Sequence, residues 1–365
     1  MKIVIASDSF KSSASSRAVA TSLAEGILSA IPECEIHTFA IGDGGEGTLD
    51  ALLHSGFKPF EYKVTGPVGN QVTARIAIRD DVAIVEMAEA SGLSQLPNNE
   101  LAPLTATSFG TGELILKALD HGVGTIILAV GGTATTDAGA GALQALGAEL
   151  KNSDGKSVER GGVGLIDIAT IDLTKVDSRI ATTKFILASD VTNPLLGSSG
   201  AAYVFAPQKG ASPADVELLE KALSHFSGLI GSAYVNSPGA GAAGGMGFMA
   251  FTFLGAAQRS GIEMVLELAH FKQALAGADL VITGEGKFDS QSLGGKAPMG
   301  VHAAASSLHI PSVMVCGQAE IKDQTLFSKV YALTDYESDL EKCIAEPAPV
   351  LKEIGRAIAQ ALLLN

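Results

Sequence analysis

The 365-residue sequence is poor in cysteine. Cys34, Cys316 and Cys343 are its three cysteines, and no two of them show the close spacing of a metal site. An odd number of widely spaced cysteines is typical of a protein that stays in a reducing compartment. We therefore expect a cytoplasmic location.

Several catalytic signatures are also missing. The seven histidines form no H-x-x-x-H pair and no Cys/His cluster, which argues against a zinc site. The sequence has no G-x-S-x-G nucleophile elbow. No apolar run approaches the length of a membrane span, and the apolar start Met1–Ala6 meets polar Ser7–Ser9 at once. We expect a first buried strand there, no signal peptide and no membrane partner.

Charged residues are few, at 18%, and the net charge is −14. This balance argues against nucleic acid as the main partner. An anionic small substrate would need local lysines, arginines or helix N-termini, because the overall field repels it. The 47% of hydrophobic residues indicates a folded chain with sizeable cores and room for two domains.

The pattern of short β-branched runs alternating with helical stretches predicts an α/β protein, with ligands at the carboxyl ends of parallel strands. The predicted strands of this kind are Lys2–Ala6, Glu35–Ala40, Thr125–Val130, Lys184–Ala188, Leu280–Thr283, Ser312–Val315 and Lys329–Ala332. Helices are predicted from about Ser16, over Gly261–Leu275 and over Pro347–Leu364.

The segment from residue 57 to 84 has a different pattern. Short alternating strands at Phe60–Val64, Val72–Ile78 and Val82–Glu86 are joined by turn residues, as in an antiparallel meander. We interpret this as the entry to a second domain inserted into the first. The expected domains are residues 1–60 plus 276–365, and the inserted residues 61–275.

The most informative motif is the Gly-rich stretch Ile41–Thr48, which follows the strand Glu35–Ala40. Its four glycines surround Asp43, Glu46 and Thr48. Glycine lets backbone N–H groups approach a ligand closely, and carboxylates suit hydroxyl groups or Mg²⁺ better than a bare phosphate. A binding loop is therefore favoured over a structural turn.

Four other strand ends carry polar groups. Asp8 and Lys11 follow the first strand, where Lys11 and a helix N-terminus could hold a carboxylate or phosphate, or the serines could only cap the helix. Gly131–Gly141 follows the strand Thr125–Val130 and is typical of a phosphate nest, although it lacks the lysine of a Walker A loop. Asp190 fits a general base, a metal ligand or an Asx turn equally well.

The last strand end is Thr283–Asp289, followed by Gly294, Gly295 and Lys296. Its Glu285 and Asp289 flank a lysine, which favours a site over a salt bridge alone. The small-residue stretch Pro238–Gly247 invites close packing of backbone on backbone or on a ligand, and a hinge or a helix contact is equally compatible.

Two stretches match the dinucleotide pattern G-x-G-x-x-G, at Gly42–Gly47 and at Gly239–Gly244. The pattern requires an acidic residue about 20 positions on, at the end of a second strand. Position 67 is proline, and the second match follows no good strand. An NAD-dependent hydroxy-acid dehydrogenase is therefore a minor alternative.

Taken in order, these blocks resemble the bacterial glycerate kinases of the two-domain type over essentially the whole chain. The segments that carry the resemblance are Asp8–Lys11, Asp43–Thr48, Ser108–Ile115, Gly131–Gly141, Asp190–Gly197, Pro207–Ala211, Pro238–Gly245, Gly284–Asp289 and Gly295-Lys296. The resemblance implies a Rossmann- or flavodoxin-like parallel-sheet domain, a second inserted α/β domain, and an active site in the interdomain cleft.

The resemblance and the motifs together assign roles to particular residues. The expected catalytic residues are Asp190, Lys11 and Asp289, with Asp190 and Asp289 also as candidate Mg²⁺ ligands. Substrate binding is expected from Asp8, Ser9, Asp43, Gly44, Gly45, Thr48 and Lys209. Nucleotide binding is expected from Gly131, Gly132, Thr133, Thr135, Asp137, Glu285 and Lys296.

The expected reaction is the phosphorylation of D-glycerate by ATP, with Mg²⁺ as cofactor and ADP as co-product. The favoured product is 2-phosphoglycerate, and the expected partners are these small molecules, in a monomer or a homodimer. A non-catalytic sensor that binds a hydroxy acid is the alternative from another class. It would not explain the surplus of carboxylates and lysines at strand ends.

Overall fold

The structure is a computed structural model that describes residues 1–10, 13–42, 44–290, 292, 297–321 and 325–364. The chain divides into two compact units. Unit 1 comprises Met1–Asp43, Asp50–Ser55 and Ile262–Asn365, and unit 2 comprises Gly44–Leu49 and Gly56–Gly261. The bounds of two helices, Thr48–Leu53 and Gly261–Leu268, cross this division along the chain.

Unit 1 contains a five-stranded sheet in which every pairing is parallel. From one edge to the other, its strands are Lys329–Ala332, Ser312–Ala319, Leu280–Phe288, Lys2–Ser7 and Glu35–Ala40. When the five strands are numbered by their order in the sequence and read from the opposite edge, the order is 2-1-3-4-5. This is the order of flavodoxin-like sheets, whose ligands bind where the order reverses, between the first and third strands.

Helices cover both faces of this sheet, as the alternation of buried side chains in the first strand requires. Ile3 and Ile5 pack with Leu23 and Ile354 on one face, whereas Val4 and Ala6 belong to the core of the other. The helices of unit 1 are Ser16–Ala30, Phe271–Ala274, Ala297–Ser306, Leu340–Ala345 and Pro347–Leu363, with a 3₁₀ turn at Leu333–Asp335.

Unit 2 contains a six-stranded mixed sheet. In spatial order its strands are Ala257–Arg259, Lys184–Ala188, Thr125–Ala129, Val82–Glu86, Gln71–Arg79 and Lys58–Thr65. The first four pair in parallel, and the last two add the antiparallel meander that the sequence predicts. The strands Glu149–Lys151 and Thr170–Asp172 form a separate antiparallel pair.

The helices of unit 2 pack around one large apolar core, in which Phe226 and Phe248 are fully buried. They are Ala88–Ser91, Phe109–Asp120, Ala140–Ala145, Ala201–Phe205, Pro213–Ile230 and Ala242–Phe253. Short 3₁₀ turns occur at Leu93–Gln95, Pro97–Asn99, Val163–Asp167, Ser178–Thr182, Pro207–Lys209 and Ala233–Asn236. Within the described ranges, no helix is both long and apolar enough to cross a membrane.

Three predicted elements, two strands and one helix, differ from the structure by more than two residues. The strand predicted at Leu280–Thr283 continues to Phe288, because residues beyond Thr283 pair with a neighbour that is also longer than predicted. A Cβ on Gly284 would lie 2.4 Å from Val315 O, so glycine here permits close strand packing and not a turn. The predicted helix Gly261–Leu275 is broken at His270, whose φ is +54°.

Candidate active site

In unit 1, two adjacent strands, Lys2–Ser7 and Leu280–Phe288, place acidic groups at the carboxyl edge of the sheet. Asp8 follows the strand Lys2–Ser7, and its N–H donates to Gly284 O at 2.8 Å. Glu285, the next residue on the adjacent strand, is buried, with 7% of its surface exposed. These two predicted site residues therefore lie at the reversal of strand order, where a ligand is expected in this topology.

Asp289 lies just beyond the end of the same strand. Its Oδ1 accepts a hydrogen bond from Ser292 N at 3.3 Å, and Ser292 Oγ accepts one from Asp289 N at 3.0 Å. Lys287 lies 3.9 Å from the Asp289 carboxylate but 2.8 Å from that of Glu320. The hydrogen bond with Glu320 raises the pKa of Lys287, so the lysine charge is directed mainly toward Glu320.

A cavity of about 440 Å³ in unit 1 adjoins the carboxylates at this edge of the sheet. Its lining includes Asp8, Ser9, Glu285 and Asp289, so the structure brings four of the predicted site residues to one pocket. The cavity has a size that is typical of small-molecule sites.

In unit 2, the two predicted Gly-rich loops meet. A Cβ on Gly131 would lie 2.4 Å from Gly45 Cα, and one on Gly44 would lie 2.9 Å from Ala188 O. Distances this short exclude a side chain at either position. The glycines of Ile41–Thr48 and of Gly131–Gly141 thus allow two loops, far apart in sequence, to pack backbone to backbone.

Glu86 holds the segment that follows these glycines. Glu86 is not among the site residues predicted from the sequence. It ends the strand Val82–Glu86, is 3% exposed, and accepts hydrogen bonds from Gly47 N at 2.9 Å and Leu49 N at 2.8 Å. Thr48, between these two donors, is fully buried, and its hydroxyl has no hydrogen-bond partner among the described residues. A carboxylate at the end of a buried strand, the signal that selected Asp190, could also have selected Glu86.

The loop after the strand Thr125–Ala129 is held tightly. Gly132 adopts φ +72°, and its carbonyl accepts a hydrogen bond from Leu93 N at 3.0 Å. Thr133 is 5% exposed and Thr135 is fully buried, and the Thr135 hydroxyl has no hydrogen-bond partner in the part of the chain that is described. The loop is thus hydrogen-bonded to its surroundings and carries buried hydroxyls, and its role as a phosphate nest stays a prediction.

Asp137 has protein partners for both carboxylate oxygens. Oδ2 accepts from Ser108 N and Ser108 Oγ, each at 2.8 Å, and Oδ1 accepts from Gly139 N at 3.1 Å. Burial raises the pKa of Asp137, and the hydrogen bonds from Ser108, Gly139 and Gly141 oppose that shift. These contacts tie the start of the helix Ala140–Ala145 to Ser108, which is a structural task, and nucleotide binding by Asp137 stays a prediction.

Lys209 reaches the same loop from another part of unit 2. Its ammonium donates to Thr135 O at 2.5 Å and lies 3.5 Å from Thr133 Oγ1. The side chain is buried, and this burial lowers its pKa to about 8 against the opposing influence of Asp137. A buried cation therefore supports the loop that the sequence predicts to hold phosphates.

Asp190 follows the strand Lys184–Ala188 and is exposed. Its Oδ2 accepts a hydrogen bond from Gly261 N at 3.3 Å. Gly44 lies against both Ala188 and Gly261. The accessible Asp190 carboxylate is therefore close in the fold to the first Gly-rich loop.

The stretch Pro238–Gly247 packs backbone on backbone. A Cβ on Gly244 would lie 2.1 Å from Thr135 O, and one on Gly241 would lie 2.2 Å from Pro194 O. Gly244 O also accepts a hydrogen bond from Ala138 N at 2.9 Å. Of the alternatives left by the sequence, the described contacts are those of close backbone packing.

Three predicted site residues, Lys11, Asp43 and Lys296, lie outside the described residues. Within the ranges given above, no three His, Cys, Asp or Glu side chains are grouped so that they could hold a metal. The three cysteines are free and buried.

The fold is that of an α/β protein with parallel strands. Its strand ends carry carboxylates and a Gly-rich, hydroxyl-rich loop beside a buried lysine, which are the kinds of groups that phosphoryl transfer uses. A model described as the Glycerate kinase family matches residues 3–363. The chain belongs to the glycerate kinase family, and the homologues named below make it a kinase.

The relatives match over most or all of their length. The chain is 39% identical over 375 residues to the glycerate kinase of Bacillus subtilis (strain 168), covering 100% of this chain and 98% of that protein. It is 44% identical over 325 residues to the glycerate 2-kinase of Escherichia coli (strain K12), covering 87% and 85%.

A crystal structure of a Salmonella typhimurium LT2 protein assigned as glycerate kinase 2 has the same fold. Its TM-score is 0.85 at 40% identity, and the match covers 100% of this chain and 98% of that chain. The predicted α/β class with parallel sheets is thereby confirmed.

Proposed function

We propose that this chain transfers the γ-phosphoryl group of ATP to the 2-hydroxyl of D-glycerate, forming 2-phosphoglycerate and ADP. The observation that carries the proposal is the meeting of Gly45 with Gly131 in a member of the glycerate kinase family. This contact supports the proposal, because the loop expected to bind hydroxyls packs against the loop expected to hold phosphates. The E. coli relative named glycerate 2-kinase supports the choice of the 2-hydroxyl.

Phosphoryl transfer needs positioning and charge neutralisation more than covalent chemistry. Backbone groups of Gly131 and Gly132 and the hydroxyls of Thr133 and Thr135 would cradle phosphate oxygens. The positive charge of Lys209, beside this loop, would stabilise the negative charge of the bound phosphate groups.

The glycerate side of the proposal uses the first Gly-rich loop. Gly44, Gly45 and Thr48, with Asp43, would hold the substrate hydroxyls. The Asp190 carboxylate would accept the proton of the 2-hydroxyl while that oxygen bonds to the γ-phosphorus and the bond to the ADP oxygen breaks. The Asp190 side chain is exposed, so a substrate hydroxyl can approach it.

The remaining candidates belong to unit 1 or lie outside the described residues. Lys11 and Lys296 are proposed as cationic clamps on glycerate carboxylate or nucleotide phosphate. Asp8 and Ser9 are proposed substrate contacts, Glu285 a nucleotide contact and Asp289 a second catalytic carboxylate.

The donor set fits Mg²⁺. Carboxylate oxygens are its preferred protein ligands, and it is usually bound by one or two carboxylates together with substrate phosphates, without a full protein cage. Asp289 and Asp190 are separate candidates to hold it, and Asp190 would hold it in place of acting as the base. The ion would supply positive charge to the phosphate oxygens.

The experiment is an assay of ADP release by the purified protein with ATP, Mg²⁺ and D-glycerate. We expect ADP formation that requires both glycerate and a divalent cation. Binding of glycerate without ADP release above the glycerate-free control would identify a sensor and defeat the proposal.

The buried, free cysteines support the cytoplasm as the location. Gel filtration would separate a monomer from a homodimer.

A further inference from the structure

The cavity in unit 1 has walls of two chemical kinds. Phe10, Leu333 and Cys343 line it and are at most 3% exposed, so they form a closed apolar floor. Leu340 and Ile344 also line it but are 46% and 44% exposed. Together with the floor, they give a ligand in the cavity a continuous set of apolar contacts.

The two exposed side chains act together. Leu340 and Ile344 are four residues apart on the helix Leu340–Ala345, which puts them on the same face of the helix. The helix is anchored to the rest of the unit, since Ser13 Oγ donates to Ile344 O at 2.7 Å. The cavity therefore has a fixed apolar wall, suited to the face of a flat ring.

The cavity lining also includes acidic groups. Asp8, Glu285 and Asp289 line it, and its one described cationic lining residue, Lys287, bonds to Glu320 at 2.8 Å. This charge repels a bare phosphate, whereas carboxylates accept hydrogen bonds from hydroxyls. Gln318, also in the lining, supplies an amide that can both donate to and accept from a base edge.

We propose that this cavity binds the nucleoside part of the nucleotide, with the base against Leu340 and Ile344 and the ribose hydroxyls on the carboxylates of Asp8 and Glu285. The proposal rests on the proposed kinase function for the identity of the ligand. The position of Asp8 and Glu285 at the reversal of strand order supports it, because ligands of flavodoxin-like sheets bind there. This contact assigns Asp8 to the ribose and replaces the glycerate contact proposed for it above.

Calorimetric titration with ADP and with adenosine, both without glycerate, tests the proposal. In the double variant Leu340→Ala, Ile344→Ala, the Kd for each should rise by about tenfold or more, because two apolar contacts with the base are lost. Ile344→Leu keeps the apolar surface and should bind as the wild type does. Leu363→Ala, at a side chain 61% exposed and outside the cavity lining, is the matched control.

A separate comparison of two ligands tests the ribose contact. Adenosine should bind more tightly than 2′,3′-dideoxyadenosine, and equal binding would overturn the role of the carboxylates. The KM for glycerate in the double variant should stay within about twofold of wild type, because adenosine and glycerate use different contacts.

The outcomes separate this proposal from the kinase function. An active kinase whose ADP and adenosine affinities survive the double substitution would overturn the pocket and leave the function standing. A wild-type protein without kinase activity, but with adenosine binding that the double variant loses, would support the pocket and overturn the function. Unchanged melting temperatures of all variants show that the folded state is being compared.

Discussion

The Lys209 ammonium donates a 2.5 Å hydrogen bond to the carbonyl of Thr135, across 74 residues of sequence. The bond places a cation behind the loop proposed to hold phosphates, in a setting where burial lowers the lysine pKa to about 8. A group with that pKa changes charge close to neutral pH. The relationship therefore predicts a pH dependence of both activity and stability.

For activity, kcat/KM should fall as pH rises through about 8, because kcat/KM reports the groups of the free enzyme and neutral Lys209 no longer offsets phosphate charge. Lys209→Met should be slow at every pH and should lack this limb. The control is Lys156→Met, at an exposed lysine of the same unit. A kcat/KM that is flat from about pH 7 to about pH 10 in the wild type would contradict the assignment.

For stability, the direction of the pH dependence is set by whether the folded or the unfolded chain binds the Lys209 proton more tightly. The pKa of Lys209 falls from an ordinary 10.5 to about 8 on folding, so between these values the unfolded chain carries more protons. The Lys209 contribution to the free energy of unfolding should therefore increase as pH rises from about 8 to 10.5. Urea unfolding of wild type and Lys209→Met across this window measures the difference between them. A difference that stays constant with pH would show that folding does not lower the pKa of Lys209.

The second prediction concerns Asp190. Asp190→Asn keeps the shape of an exposed side chain but removes the charge, so kcat should fall by about 10²–10⁴, with an unchanged melting temperature. Asp154→Asn, at another exposed aspartate of unit 2, should leave kcat as it is. If Asp190→Asn stays within a few-fold of wild type, its role reduces to the hydrogen bond with Gly261.

The third prediction concerns the contact of the two Gly-rich loops. Gly131→Ala puts a Cβ 2.4 Å from Gly45 Cα, and relief of that overlap should cost about 1–3 kcal/mol of stability and lower kcat by displacing the loop. Gly228→Ala is the control, because its added Cβ meets nothing within 4 Å and helix interiors favour alanine by about 0.5–1 kcal/mol. Equal urea midpoints and rates for both variants would show that the loops do not depend on this contact.

The fourth prediction separates a structural from a nucleotide-binding Asp137. Asp137→Ala leaves the N–H groups of Ser108, Gly139 and Gly141 without their acceptor. The free energy of unfolding should then fall by about 2–4 kcal/mol, as measured by urea denaturation. A variant of wild-type stability that binds ADP poorly would instead support the nucleotide contact expected from the sequence.

Much of unit 1 could be predicted because its strands are short runs rich in β-branched and aromatic residues that alternate with helical stretches. The bounds of Glu35–Ala40 and Lys329–Ala332 agree with the prediction, and Asp8 lies just after a strand, as expected. The continuation of Leu280–Thr283 to Phe288 could not be predicted, because glycine is typical both of turns and of closely packed strands. At Gly284, the glycine permits close packing of two strands.

The site groups of unit 2 could be predicted one by one, but not their arrangement. Composition selects the Gly-rich loop around Gly45 and the loop around Gly131, yet nothing local indicates that the two backbones pack together. The sequence predicts substrate binding by Lys209, and only the fold shows this lysine against Thr135. The hydrogen bonds of Glu86 with Gly47 and Leu49 are likewise long-range contacts.

The most direct test of the central claim is the ³¹P NMR spectrum of the product formed from D-glycerate, ATP and Mg²⁺. The account predicts a phosphate ester at O2, in an amount equal to the ADP formed, and none in the glycerate-free control. A phosphate at O3, or a spectrum that still shows ATP alone after prolonged incubation with the folded protein, would contradict it.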